Sequence, residues 1–335
     1  MPRPCPLPDI TVEESRRAMT FSFRSIALAS LLALSLLAQP AEARTKLTVM
    51  LDWFVNPDHA TLVVAEKLGL FEKAGLEVTM VEPADPNDPP KLVAAGKADI
   101  AISYQPQLHL QNAEGLPLTR IGTLVATPLT TLLVLADGPV KSIADLKGRK
   151  VGFSVGGFED AILAAMLERH GLTTKDIELI NVNFSLSPSL ISGQVDAVIG
   201  AYRNFELNQM DIVGRPGKAF YVEEEGVPGY DELIVVANRA QLDRPELAAF
   251  IGALEAAAQY LVNHPKESWE MFKSYKKGLD DELNTRAFRD TLPRFALRPG
   301  ALDNGRYERF AAFLVKQGLI KEPGKVSDYA VELKR

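Results

Sequence analysis

The segment Leu51–Phe71, LDWFVNPDHATLVVAEKLGLF, places Asp52, Trp53, Asn56, Asp58 and His59 within eight positions between two apolar runs. A carboxylate, a flat aromatic face, an amide and an imidazole at that spacing can stack on a small molecule and hydrogen-bond it, with Pro57 stiffening the turn that presents them. The same residue types also have structural uses. Asn56 or Asp58 can cap a helix beginning at Ala60, and Trp53 or His59 can sit in a core. Catalytic signatures are missing: there is no G-x-S-x-G, H-E-x-x-H or P-loop, and His59, His109, His170 and His264 are scattered at spacings that make no metal site. The one cysteine, Cys5, precedes an expected cleavage point, so the exported chain has no thiolate nucleophile, disulfide or cysteine metal ligand. The chemistry on offer is recognition, so a non-enzyme with no cofactor and no metal is expected.

Positioning these residues requires elements that end at one place. From Lys46 the pattern alternates strand and helix: KLTVML, then ATLVVAEKLGLFEKAG, LEVTMVE, DPPKLVAAG and ADIAIS. A second unit repeats it with RKVGFSV, FEDAILAAMLERHG, IELINVNF and PSLISGQVDAVIGA, and both units share G-x-x-D before a buried strand (GKAD, GQVD). Such alternation predicts mostly parallel sheets with helices on both faces, whose ligands bind beyond the carboxyl ends of the strands. Those strand ends carry Tyr104 after ADIAIS, Gly156, Phe158 and Glu159 after VGFSV, and Tyr202, Asn204 and Glu206 after VDAVIG. Glu225 and Tyr230, in EEEGVPGYDE, precede a second crossing between units and belong at the cleft mouth, and the loop EPADPNDPP forms another part of the rim. Gly156 and Gly157 ahead of a helix can cradle an anion on backbone N–H groups, but Glu159 and Asp160 already occupy that first turn. A glycine turn serving backbone geometry, a solvated glutamate run and a hinge-shaping Tyr230 remain the structural alternatives.

TLLVLADG and DELIVVANRA are extended exits from the first and second units, after which the chain is nearly all helical. The expected organisation is a first lobe made of 44–132 and 237–335, carrying the C-terminal helices, and a second lobe made of 133–236. At the N-terminus the apolar run SIALASLLALSLLA follows Arg24 and leads to QPAEA, whose Ala41 and Ala43 make an A-x-A site, so residues 1–43 are expected to be a cleaved signal peptide, with Met19 an alternative start. The chain of 335 residues has a formal charge of -6 and offers no basic field for nucleic acid.

Several of these phrases occur together in a known family. TVMLDWFVNPDHATLVVAEKLGLFEKAGLEV, AAGKADIAIS, IADLKGRKVGFSVGG, VDAVIGAYRNFELNQM and EEEGVPGYDELIVVAN resemble the periplasmic solute-binding proteins of ABC importers, in the branch of ThiY-like binders of hydroxymethylpyrimidine and formylaminopyrimidine, the thiamine precursors. The resemblance covers nearly all of the expected mature chain. It implies an α/β, type II periplasmic-binding-protein fold of two doubly wound lobes on a two-crossing hinge, a periplasmic monomer closing on an aminopyrimidine, and an ABC permease and ATPase as partners. Relatives of the same fold bind other heterocycles or anions such as sulfonate and nitrate. Fungal pyrimidine-precursor synthases also resemble it, but act with pyridoxal phosphate and a cysteine-rich motif that this chain lacks. An extracytoplasmic sensor would need a signalling module that the sequence does not carry. N-terminal sequencing of the exported protein is expected to begin at Arg44; a full-length, membrane-bound product would refute that reading.

Overall fold

The computed structural model describes residues 1, 3 and 44–334. The expected leader run and cleavage site lie outside the described residues. Ten strands form two five-stranded sheets. They are β1 (Thr45–Met50), β2 (Leu76–Val81), β3 (Ile100–Ser103), β4 (Leu118–Val125), β5 (Thr130–Leu135), β6 (Lys150–Phe153), β7 (Glu178–Asn181), β8 (Ala197–Tyr202), β9 (Gly217–Tyr221) and β10 (Leu233–Asn238). The first sheet has the order β2-β1-β3-β10-β4 and the second β7-β6-β8-β5-β9. The two orders are equivalent, and in each the fourth place is taken by the strand that arrives from the other half of the chain.

That arriving strand alters the parallel sheets expected from the alternation. β1 pairs in parallel with β2 and β3, and β6 with β7 and β8, but β10 runs antiparallel to β3 and β4, and β5 antiparallel to β8 and β9. A strand entering from the opposite unit comes from the cleft side and must run back against its new neighbours. β3, β4, β5, β8 and β10 are buried along nearly their whole length, as strands covered on both faces must be. The chain changes sheet between Val125 and Thr130 and again between Tyr221 and Leu233, so the expected boundaries at 132/133 and 236/237 fall inside the crossing strands. No helix among the described residues is long and apolar enough to cross a membrane.

The shared G-x-x-D phrase has a physical role. Asp99 Oδ2 accepts the Thr48 N–H at 2.8 Å and the Asp99 N–H donates back to Thr48. Asp196 does the same to Lys150, at 3.0 Å through Oδ2. Each carboxylate fastens a neighbouring strand where ladder bonds have not begun, and each is held by an arginine, Arg244 at 2.7 Å or Arg149 at 3.2 Å. Two expected elements are shorter than their apolar runs. The helix after His59 stops at Lys67 and resumes at Leu70–Lys73, because Gly69 turns left-handed at φ 64°. β7 ends at Asn181, since Asn183 adopts φ 50° and bends Phe184 toward Trp53.

The C-terminal helices pack mainly around the first sheet; Phe250 stacks on Phe71 with centroids 5.2 Å apart. The buried Arg120 gathers the carbonyls of Pro299, Gly300, Ala301 and Val331, tying the C-terminal segment to β4. The helix Glu282–Thr291 differs, lying against both the turn Pro57–His59 and the second unit's helix Glu206–Ile212. Replacing Asp99 or Asp196 by alanine leaves a partly exposed strand N–H to water, so urea unfolding should show a loss of about 0.5–1.5 kcal/mol for each, the net worth of a hydrogen bond; an unchanged midpoint would contradict this role.

Candidate functional site

The strand ends of both sheets converge on one narrow cavity, in which only about 20 Å³ admits the centre of a water molecule. Asp52, Trp53 and Asn56 line it from the β1 turn and Tyr104 from the end of β3. The second sheet supplies Phe158, Glu159, Leu186, Gly200, Tyr202, Phe205 and Glu206.

Asp52 is fixed from behind. His59 Nε2 lies 2.9 Å from Oδ1 and the Tyr104 hydroxyl donates to Oδ2 at 3.0 Å. The Nδ1 of His59 accepts the Asn56 N–H at 3.2 Å, which leaves the proton on Nε2 to be given to Asp52. His59 is fully buried; it orients Asp52 and does not face the cavity. Asn56 caps the turn by accepting the Asp58 N–H at 2.8 Å, its Nδ2 donates to the Phe54 carbonyl at 3.2 Å, and the residue lines the cavity edge. Tyr104 stacks on Phe158 with centroids 4.7 Å apart, and burial, with Asp52 beside it, pushes its hydroxyl well above the usual phenol range. Trp53 stands edge-on to Phe184 at 4.6 Å, an aromatic contact between the two units.

Glu159 and Glu206 each anchor one oxygen on a backbone N–H, Ser154 at 2.7 Å and Tyr202 at 2.7 Å. Gly200, at φ 91°, passes so close that a Cβ there would collide with the Glu159 carboxyl. Burial pushes the Glu159 carboxyl well above the usual carboxylate range and raises Glu206 to about 7.

Other expected site residues lie elsewhere. Asn204 reaches away from the cavity to Asp58 Oδ1 at 2.7 Å, and Thr291 lies 2.8 Å from the same oxygen. Burial, working against those two donors, raises Asp58 to about 6. The Gly156 N–H is taken by Asn87 Oδ1 at 2.9 Å, so it is not free to cradle an anion. Arg203, the cation nearest in sequence, forms a two-pronged pair with Glu223 at 2.7 and 2.8 Å and lies over the Tyr221 ring. Glu225 is paired with His170 at 2.7 Å at the end of the helix Phe158–Arg169. Tyr230 is fully buried, edge-on to Phe310. Beside it, Glu232 accepts from Leu129 and Thr130, bonding the two chain crossings to each other. Leu186, Gly200 and Phe205 entered the lining unforeseen. Phe205 and Gly200 stand within phrases already marked by strand-end position, whereas Leu186 carried no polar signal.

A family profile described as NMT1/THI5 like matches residues 56–268. The chain belongs to the NMT1/THI5-like family. It is 54% identical over 299 residues to a putative thiamine biosynthesis protein of Haemophilus influenzae, covering 89% of this chain and 95% of the relative. It is 36% identical over 233 residues, 69% of this chain and 71% of the relative, to the formylaminopyrimidine-binding protein of Halalkalibacterium halodurans. Other relatives bear the name 4-amino-5-hydroxymethyl-2-methylpyrimidine phosphate synthase, among them one from Uromyces fabae that is 31% identical over 251 residues, 71% of this chain and 73% of the relative. Among solved structures, the alkanesulfonate-binding protein of Xanthomonas axonopodis pv. citri bound to MOPS superposes with a TM-score of 0.67 at 18% identity, covering 86% of this chain and 98% of that one. The fold is therefore that of the periplasmic binding proteins.

The raised carboxyls set a pH dependence. Asp58 and Glu206 have folded-state values, about 6 and about 7, above their ordinary ones, so the folded chain binds more protons than the unfolded one between about pH 4 and 7. Their contribution to stability is complete below the ordinary carboxyl range and is lost as pH rises through 6 to 7. Urea unfolding should show stability falling from pH 5 to 7.5, on the order of 2 kcal/mol per group. Asp58→Asn should flatten the Asp58 part of that slope; a slope equal to wild type would count against it.

Proposed function

We propose that this chain is the ligand-capturing component of an importer for a thiamine-related aminopyrimidine, working in the periplasm and delivering its ligand to an ABC permease and ATPase. The observation that carries the reading is the lining itself: Asp52, Glu159 and Glu206 face one cavity with aromatic rings around them and no cationic side chain among the lining residues. The names of two relatives, a thiamine biosynthesis protein and a formylaminopyrimidine-binding protein, support it.

A ring nitrogen beside an exocyclic amine offers one acceptor and one donor, and a carboxyl group matches both with two parallel hydrogen bonds, whichever partner holds the proton. The elevated Glu159 and Glu206 suit that exchange. Trp53, Phe158 and Phe205 give the ring apolar faces. A micromolar dissociation constant corresponds to about 8 kcal/mol, and an aromatic pair adds only about 0.5–1.5 kcal/mol beyond buried area, so the polar pairs must select. An anion held about 4 Å from one ionised carboxylate would lose on the order of 4 kcal/mol at an effective dielectric of about 20. That penalty disfavours sulfonate, nitrate and phosphate here, although an alkanesulfonate-binding protein shares the fold. Both units contribute lining, so a bound ligand favours closure, the state presented to the permease. The pocket has the parts for holding a ring and no assigned role in making one.

Calorimetry should show a formylamino- or hydroxymethyl-substituted aminopyrimidine binding, with Trp53→Ala and Glu206→Gln each weakening it by about tenfold or more. Tight binding of an alkanesulfonate, or release of a phosphorylated pyrimidine from pyridoxal phosphate, would overturn the reading.

A further inference from the structure

One carboxyl where the two units meet is short of a partner. Asp58 of the first unit is 1% exposed, and its Oδ1 receives the amide of Asn204, from the second unit, at 2.7 Å and lies 2.8 Å from the Thr291 hydroxyl. Its Oδ2 is buried without a hydrogen-bond partner among the described residues, as is the amide oxygen of Asn204. Both of these atoms are acceptors while Asp58 is ionised, and leaving a buried acceptor unsatisfied is costly. A proton on Oδ2 turns one of them into a donor, and an acid can pair with an amide through one O–H···O and one N–H···O bond. No cationic side chain among the described residues bonds to Asp58. His59, on the same turn, spends Nε2 on Asp52 and Nδ1 on the Asn56 N–H. Glu206 and Tyr202 face Asp58 from the second unit. On the helix Glu282–Thr291, Arg289 pairs with Asp290 at 3.1 Å, and on β4, Arg120 is taken up by carbonyls of the C-terminal segment. The helix Ala60–Lys67 carries its charges, Glu66 and Lys67, at its far end. Burial therefore outweighs Thr291, His59 and Asn204, with Asp52 adding to it, and raises the Asp58 carboxyl to about 6.

We propose that Asp58 is a positioning residue that couples capture to proton uptake: as the units shut on a ligand, its carboxyl takes a proton from solvent and pairs with Asn204. This rests on the two-unit capture reading, and Asp58 lines no part of the cavity, so it acts without touching the ligand. Opening withdraws Asn204 and lets water reach Asp58, whose carboxyl then ionises in the ordinary range. The shut state therefore binds a proton more tightly than the open state. By linkage, ligand affinity is highest in acid and falls as pH rises toward 6 and just beyond it. About half a proton is taken up at pH 6, where the shut-state carboxyl is half titrated, and little above pH 7. Asp58→Asn keeps the shape and supplies the missing donor permanently, so it shuts without the proton.

The test is calorimetry of the exported protein and its Asp58→Asn variant with the formylamino and the hydroxymethyl aminopyrimidine. Titrations at pH 6 in two buffers of different ionisation enthalpy count the protons taken up on binding. Wild type should take up about half a proton more than Asp58→Asn. Between pH 5 and 7 the affinity of wild type should fall about tenfold further than that of the variant. Contributions from Glu206, Glu159 and the ligand ring are common to both proteins and leave that difference in place. Wild type that takes up no proton at pH 6 would overturn the proposal without recourse to any variant. Equal proton counts would overturn it too, as would a variant weakened uniformly with the wild-type pH profile, since Asp58 would then be a structural cap alone. Should wild type bind neither aminopyrimidine, the capture reading fails and the coupling with it, whereas binding with no difference between the two proteins defeats the coupling only.

Discussion

A carboxyl group taken out of water must be hydrogen-bonded, paired or protonated, and the space between the two sheets contains Asp52, Glu159 and Glu206 together, with Asp58 and Glu232 close behind. Much of the local architecture follows from how each is accommodated. Asp52 takes donors from His59 and Tyr104, which requires the tight turn at Asn56 and fixes the ring that stacks on Phe158. Glu159 and Glu206 each take one strand-end N–H, which requires β6 and β8 to stop where they do and Gly200 to lack a side chain. Glu232 takes the N–H groups of Leu129 and Thr130, so the hinge itself is built around a buried acid.

This division also separates fold from ligand. The overall fold is what the chain shares with a sulfonate-binding protein at 18% identity and a TM-score of 0.67. Nothing in that topology dictates the sign of charge at the strand ends. Here Arg203 is withdrawn into its pair with Glu223 and the Gly156 N–H is occupied by Asn87, so two features that could have drawn an anion are spent on structure.

What the sequence made legible was local. Strand and helix alternation, the G-x-x-D repeat and the rule that ligands sit beyond strand ends were enough to bring Asp52, Trp53, Asn56, Tyr104, Phe158, Glu159, Tyr202 and Glu206 to one cavity. Misplaced side chains were those whose partners are far away in sequence. Asn204 turned to Asp58 and Thr291, Gly156 to Asn87, and Glu225 to His170; no spacing or propensity announces such pairings. Expected to face a ligand, His59 instead lies one layer back, because its turn closes on itself through the Asn56 N–H. The helix through Gly69 and the strand through Asn183 were over-extended for a different reason. Both carry apolar runs that satisfy the period, but their backbones turn left-handed at one residue.

The proposed capture depends on a carboxyl group of the cavity holding the donor–acceptor edge of the ligand. Its most direct test is calorimetry comparing an aminopyrimidine with the analogue in which hydrogen replaces the exocyclic amine while ring and substituent are kept. Removing the amine should cost about a hundredfold or more in affinity, because a buried carboxyl oxygen would be left without its donor. Equal affinity for the two compounds would contradict it.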